Sequence, residues 1–192
     1  MIADTIARLR RDAGIPVDPT RRGPVPLHRF FEETNAPRVI HHRVPKLTLG
    51  KAVSHLRSQG LEVEDLGEPK LRIDGLLFRA EGVAWAYVSD DERNLLTRRR
   101  FIAAHELGHA ILHDDRIRVD EKVDAAKIDD PKEREANRFA VELLMPAEVC
   151  FARAEELRTE FRCCPRGILS YRLAAELLVS AESLGYRLRE LE

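Results

Sequence analysis

The chain has 192 residues, of which 44% are hydrophobic and 34% are charged, a composition typical of a globular protein that buries a core. Its net charge of −1 excludes an overall basic field that would attract nucleic acid or a membrane surface. No apolar run is long enough for a membrane helix, the N-terminal stretch is too charged for a signal peptide, and three cysteines make a poor disulfide framework. We therefore expect a cytoplasmic protein with one domain, or one domain and a small appendage.

The first sixty residues predict helices joined by an irregular connection. A short helix is expected over the first dozen residues, with its apolar side chains on one side. Residues 15–26 are rich in proline, glycine and arginine, which favours an extended path over the surface. Two further helices are predicted at residues 27–35 and 47–60, and Gly60 is suited to the C-terminal cap of the second.

The middle of the chain predicts a small antiparallel sheet. Leucine, isoleucine, valine and aromatic residues are concentrated in three stretches, at residues 61–66, 70–80 and 82–92. From Asn94 onward the pattern becomes helical, with breaks at residues 113–120, at Pro146 and at residues 163–167. A small sheet followed by helices is an α+β arrangement.

The stretch RRRFIAAHELGHAILH, residues 98–113, places polar side chains inside an apolar helix. His105 and His109 are four residues apart, so about 40° separates them around the helix axis and both can reach one Zn²⁺. Glu106 lies beside them, in reach of a water at the metal. The alternative is a helix that merely contains these residues, but burying histidines without a partner is costly, so the apolar neighbours favour a metal site. Gly108, unusual inside a helix, indicates the close approach of another segment or of a substrate.

A catalytic zinc usually has three protein ligands, and the third is expected in the helix predicted between Asp129 and Pro146. An aspartate can cap the start of this helix, and a proline suits its first position. Glu133 lies on the apolar stripe that must point inward, whereas Glu135 lies on the solvated side. We predict Glu133 as the third ligand, with Glu135 as the fallback, and Asn137 as a group that orients a ligand.

The remaining histidines have weaker assignments. His113 lies one turn beyond His109, and as a fourth ligand it would close the site, so a hydrogen bond near the helix end is favoured. His41 and His42 are predicted to be surface residues.

Together, HELGHAILH and EREANRFAVELLMP resemble the ImmA/IrrE-type metallopeptidases, which are zincins of bacteria and their mobile elements. The resemblance extends from about Gly60 to the C-terminus. It implies a gluzincin-like zinc endopeptidase that cleaves, or relieves the action of, a helix-turn-helix repressor or antitoxin-like partner in transcription regulation or stress response. It also implies that His105 and His109 are zinc ligands and Glu106 is the catalytic base, and it fits Glu133 as the third ligand.

The resemblance also gives expectations for the rest of the chain. It implies a zincin-like core at residues 60–146, a C-terminal helical extension packed on it at 147–192, and an N-terminal region of unassigned role at 1–59. In zincins generally the edge strand of the sheet holds the substrate in extended form, and residues 82–89 are expected to be that strand. A tyrosine or a histidine would be typical as the oxyanion donor, with Tyr87 and Tyr171 among the candidates.

Two alternatives remain beside the peptidase. The first is a zinc-containing binding module that captures a repressor without cutting it, although binding alone has no need of Glu106. The second is direct DNA binding by the C-terminal helices, which carry several arginines (Arg158, Arg162, Arg166 and Arg172). Glutamates dilute this positive charge, so packing on the core is favoured over DNA binding.

Overall fold

The computed structural model describes residues 2–20, 22–35, 37–91, 95–121, 130–161 and 165–191. Over these ranges the chain forms eight helices and one four-stranded sheet, which confirms the predicted α+β class. The helices are α1 (Ile2–Asp12), α2 (Leu27–Glu33), α3 (Leu49–Ser58), α4 (Leu96–Leu112), α5 (Pro131–Leu144), α6 (Ala147–Glu160), α7 (Arg166–Leu177) and α8 (Ala181–Leu191). The strands are β1 (Arg38–Val44), β2 (Gly75–Ala80), β3 (Val83–Ser89) and β4 (Ile117–Asp120). No helix in these ranges is both long and apolar enough to cross a membrane.

The sheet is mixed rather than antiparallel, which corrects the prediction. Its strand order is β1-β3-β2-β4, with β2 antiparallel to β3 and β4, and with β1 parallel to β3. The patterns of β1 and β4 were not recognised, because RVIHHRV contains two adjacent histidines and IRVD has only four residues. Residues 61–66 form no strand, since their acidic side chains stay exposed and only Val63 is buried.

The sheet separates two apolar clusters. Because side chains alternate along a strand, Leu77 of β2 and Ala86 of β3 face α4 and α5, whereas Leu76, Phe78 and Tyr87 face the side of α3. The cluster on the α4 side also takes in α1 and the C-terminal helices. The candidate site therefore lies on one face of the sheet, where α4 packs between the sheet and α5.

The helices α4 and α5 approach each other closely at Gly108. A Cβ atom added there would lie 3.0 Å from Cδ1 of Phe139 and 3.2 Å from the carbonyl oxygen of Ala136. The close approach predicted from this glycine is thus confirmed, and the approaching segment is α5. The start of α5 is also as predicted, with Asp130 accepting a hydrogen bond from the amide of Lys132 at 2.9 Å.

The ends of the chain contribute to the core on the α4 side. Arg10 of α1 is buried and donates to the carbonyl oxygen of Leu143 at 2.7 Å. The stretch at residues 15–26 was predicted to run over the surface, but it buries Ile15 and Val25. The prediction was wrong because it rested on the composition of the whole stretch, which is dominated by proline, glycine and arginine, and not on its few apolar residues.

Candidate metal centre

Three predicted residues converge on one point between α4 and α5. The Nε2 atoms of His105 and His109 are 3.0 Å apart. The Glu133 carboxylate lies 3.3 Å from Nε2 of His105 and 3.1 Å from Nε2 of His109. Ligand atoms at about 2.0–2.1 Å from a tetrahedral zinc ion lie about 3.3 Å from one another. The three side chains therefore already have the spacing of zinc ligands.

Asp120, at the end of β4, joins this group. Ligand atoms of His105, His109, Asp120 and Glu133 all lie within 4.8 Å of one another. The Oδ2 atom of Asp120 is buried without a hydrogen-bond partner and lies 3.7 Å from Nε2 of His105, outside the tight triangle of the other three. Sequence reasoning missed Asp120 because residues 113–120 were interpreted as a break. The signal was the alternation in IRVD, which puts its two polar side chains on the same face of the sheet.

Glu106 lies beneath the triangle, against β2. Its side chain has no exposed surface, and neither carboxylate oxygen has a hydrogen-bond partner. Burial raises the pKa of Glu106 well above its usual value, and the nearby carboxylates of Asp120 and Glu133 raise it further. A buried carboxylate without a donor would be stabilised by a cation at the adjacent triangle.

The position of Glu106 depends on a glycine in β2. A Cβ atom at Gly75 would lie 1.7 Å from Oε1 of Glu106 and 2.7 Å from its Cδ. Gly75 pairs with Asp120 in the sheet, so the strand places this gap directly beside the end of β4. The side chain of Glu106 thus packs directly against the backbone of β2.

The charges of the three converging side chains are coupled. Although burial disfavours its charged form, the carboxylates of Asp120 and Glu133 raise the pKa of His105 to about 9. Burial and the neighbouring charge of His105 lower the pKa of His109. Burial also disfavours ionised Glu133, but its contacts with the two imidazoles hold its pKa well below the usual range. The negative charge of these carboxylates therefore favours a positive charge at the point where the side chains converge.

Each converging side chain is held by another group of the chain. His105 Nδ1 lies 2.9 Å from Oδ1 of Asn137, the residue predicted to orient a ligand. His109 Nδ1 lies 2.9 Å from Nδ1 of His113. Arg118 of β4 donates from Nε to Glu133 at 2.6 Å. This support fixes the direction of each ligand atom.

The structure distinguishes the two glutamates that the sequence offered as the third metal ligand. Glu133 lies in the cluster, with 17% of its side chain exposed, whereas the Glu135 side chain is 50% exposed and contacts His113. His113 is the C-terminal cap of α4, and its ligand atoms are not among the four donors that converge.

The histidines of β1 are partly buried and make ring contacts, which corrects the prediction of ordinary surface residues. His41 stacks on Phe31 at a centroid distance of 4.3 Å, and burial lowers its pKa to about 4. His42 stacks on Trp85 and on Tyr87. Both were misjudged because β1 itself was not recognised as a strand of the sheet.

The two tyrosines considered as oxyanion donors lie elsewhere. Tyr87 belongs to the cluster on the α3 side and is 2.7 Å from Nδ1 of His55. Tyr171 is on α7 and is 71% exposed. Neither is in the group of side chains that surrounds the converging donors.

The predicted substrate strand is also corrected. β3 lies between β1 and β2, so its backbone groups are paired on both sides and residues 82–89 cannot accept another strand. β4 is the edge strand nearest to the four converging side chains, and it pairs only with β2 among the strands that the structure describes. The sequence could not show this, because strand order depends on pairing between distant segments.

A helix that carries His-Glu-x-x-His, a second helix that adds a carboxylate, and a small sheet beneath them are the features of a metallopeptidase. The family model described as IrrE N-terminal-like domain, Peptidase_M78, matches residues 91–189, just over half of the chain, and the chain belongs to this family of peptidases. The resemblance drawn from the two motifs is thereby confirmed. No curated protein matches the chain.

Proposed function

We propose that the chain is a zinc-dependent endopeptidase in which His105, His109 and Glu133 bind Zn²⁺ and Glu106 is the general base. The observation that carries this proposal is the triangle of donor atoms, 3.0–3.3 Å on each side, between α4 and α5. Two imidazoles and one carboxylate are a donor set that zinc uses in peptidases, where the fourth position stays open.

Zinc, when bound, polarises the scissile carbonyl and lowers the pKa of water. The chain supplies the proton transfers. Glu106 accepts a proton from the attacking water, whose oxygen bonds to the carbonyl carbon, and passes that proton to the amine nitrogen as the C–N bond breaks. Glu106 is buried and neither of its carboxylate oxygens has a hydrogen-bond partner, so both oxygens are free to take part in these proton transfers. Asp120 lies with the converging side chains and contributes to the raised pKa of Glu106.

The substrate is proposed to bind as an additional strand along β4. The free edge of β4 leads to Asp120, so a peptide in extended form there would pass the converging donors. Backbone hydrogen bonds would hold such a peptide without regard to its sequence, and side-chain contacts would select it.

The proposed substrate class rests on the family. Membership in a peptidase family supports a protein substrate, and the resemblance to ImmA/IrrE-type members supports a helix-turn-helix repressor or an antitoxin-like partner. We therefore propose that cleavage relieves repression, with a role in transcription regulation or stress response.

The contacts of the C-terminal helices support packing within the protein over direct DNA binding. Arg153 is buried and pairs with Glu176 at 2.9 Å, and Arg187 is buried and pairs with Glu142 at 2.5 Å. These arginines stabilise contacts among the helices. Arg162 and the side chain of Arg166 lie outside the part of the chain that the structure describes.

The replacement of Glu106 by glutamine is expected to preserve zinc binding and abolish cleavage, because the amide keeps the shape of the side chain but cannot accept a proton. Bound zinc per chain is measured in the purified wild type and variant, and both are incubated with a candidate repressor. We expect about one zinc in each protein, and a loss of roughly 1,000-fold or more in cleavage rate. Glu148→Gln, at an exposed glutamate of α6, is the matched control and should cleave as the wild type does.

The same pair of proteins decides between the two functions. A Glu106→Gln variant that relieves repression as well as the wild type does would contradict the peptidase. That result would establish the non-cleaving binding module instead.

Zinc binding is expected to release a proton from His105 near neutral pH. The pKa of His105 is about 9, since Asp120 and Glu133 outweigh the effect of burial, and a zinc ligand must be deprotonated. Below pH 9 the proton competes with zinc, so the apparent affinity should rise by about tenfold per pH unit between pH 7 and pH 9 and then level off. Calorimetric titration in buffers of different ionisation enthalpy counts the protons released. An affinity that is constant from pH 7 to pH 9 would contradict this assignment.

A further inference from the structure

A second histidine and a carboxylate lie behind His109. Nδ1 of His109 is 2.9 Å from Nδ1 of His113, and Nε2 of His113 is 3.0 Å from Oε2 of Glu135. Both imidazoles are buried, whereas the glutamate is half exposed at the surface of α5. The three side chains form a chain of contacts that runs from the converging donors to solvent.

The positions of the protons in this chain follow from its end groups. The Nε2 atom of His109 faces His105 and Glu133, so as a ligand it carries no proton. In a neutral imidazole the proton is then on Nδ1, which must donate to Nδ1 of His113. His113 accepts there and carries its own proton on Nε2, which donates to the Glu135 carboxylate. Every contact thus has one donor and one acceptor.

We propose that His113 and Glu135 are positioning residues for His109, whose tautomer and ring orientation they fix so that Nε2 is presented to the metal. This inference rests on the proposed function, since it assigns a purpose to the lone pair of Nε2. The inference also assigns a separate role to each of three polar residues of α5, Glu133, Glu135 and Asn137. Glu133 enters the cluster, Asn137 contacts His105, and Glu135 acts on His109 through His113.

The C-terminal end of α4 is held independently of the contacts between His109, His113 and Glu135. Arg79 of β2 donates to the backbone carbonyl oxygen of His109 at 3.1 Å, and it also contacts those of Ala110 and His113. A cation at the C-terminus of a helix stabilises it. Substitution of the His113 side chain leaves these backbone contacts in place, so its main effect should be on the imidazole of His109.

The test is the affinity of the full chain for Zn²⁺, measured by competition with a chelator. His113→Ala is expected to weaken binding by roughly 10–100-fold, the range found when such a supporting group is removed. His113→Gln should recover part of the loss, because its amide oxygen can accept from Nδ1 of His109. Glu135→Ala should weaken binding by a smaller factor, since water can replace an exposed carboxylate. The control is His28→Ala, at an exposed histidine of α2, which should bind as the wild type does.

A spectroscopic measurement separates positioning from a general structural role. With Co²⁺ in place of zinc, the visible absorption bands report the geometry at the metal, and they should change in His113→Ala and return towards the wild type in His113→Gln. Zinc affinity in His113→Ala equal to that of the wild type would overturn the inference. If His113→Ala does not fold, His113→Gln and Glu135→Ala decide, and unchanged zinc affinity in both would overturn it.

The outcome for the proposed function is distinguishable. A wild-type protein that binds no zinc would overturn the proposed function and this inference together. A wild-type protein that binds zinc but does not cleave would overturn only the peptidase activity. A loss of zinc affinity in His113→Ala would then still support the positioning role of His113 and Glu135.

Discussion

Replacing Glu133 by alanine is expected to lower the affinity for Zn²⁺ by about 1,000-fold or more, a larger loss than a supporting group would cause. The Glu133 carboxylate touches Nε2 of both histidines and supplies the negative charge that offsets the cation. Without it, two neutral imidazoles remain in a buried site, and Asp120 lies at a greater distance. Chelator competition with purified protein measures the change, and thermal unfolding with and without zinc confirms that the variant folds.

Glu135→Ala is the matched comparison, since it removes the same kind of side chain two residues later in α5. The ratio between the two variants is the informative quantity. If Glu133→Ala binds zinc as the wild type does, Glu133 is not a ligand, and Asp120 becomes the carboxylate to test next.

Replacing Gly75 by alanine is expected to slow peptide cleavage strongly and leave zinc bound. The added methyl group would lie 1.7 Å from Oε1 of Glu106, whose side chain is fully buried. The glutamate must therefore leave its place, although alanine itself is tolerated in a strand. The three atoms nearest to the new methyl group all belong to Glu106, so the clash falls first on the proposed base. We therefore expect zinc affinity to change by less than about 10-fold while the cleavage rate falls by about 100-fold or more.

The measurement is the rate of cleavage of a protein or peptide substrate, together with bound zinc per chain. Gly167→Ala in α7 is the matched control, because an added Cβ atom there meets nothing within 4 Å. Alanine in that helix should preserve activity and raise stability slightly. Full activity in Gly75→Ala would show that Glu106 does not act from the position beneath the donors.

Local periodicity was sufficient to predict which helical side chains converge in the candidate site. The spacing of His105 and His109 predicted one face, and the phase of α5 favoured Glu133 over Glu135, the same residue that the structure places beside them. Helix contacts repeat every three to four residues, so this information is contained in short stretches of sequence. The cap at Asp130 and the close packing at Gly108 were predictable for the same reason.

The contributions of the sheet could not be predicted in the same way. Asp120 reaches the site only because β4 pairs with β2, about forty residues earlier in the chain, and nothing in IRVD indicates that partner. The parallel pairing of β1 with β3 likewise joins segments separated by α3 and β2. The role of Gly75 depends on the register of β2 beneath α4, which only the assembled fold determines.

The short edge strand has a consequence for what the protein can accept. An unpaired strand edge can also join the edge of another copy and begin an aggregate. β4 limits this hazard with only four residues and with charged side chains at Arg118 and Asp120. So short an edge offers few hydrogen bonds to an incoming chain, and it cannot pull a segment out of a folded domain. If substrates bind along β4 as proposed, we expect a cleaved protein to present a segment that is already unfolded, such as a linker or a locally melted helix, and a stably folded substrate to be resistant until that segment opens.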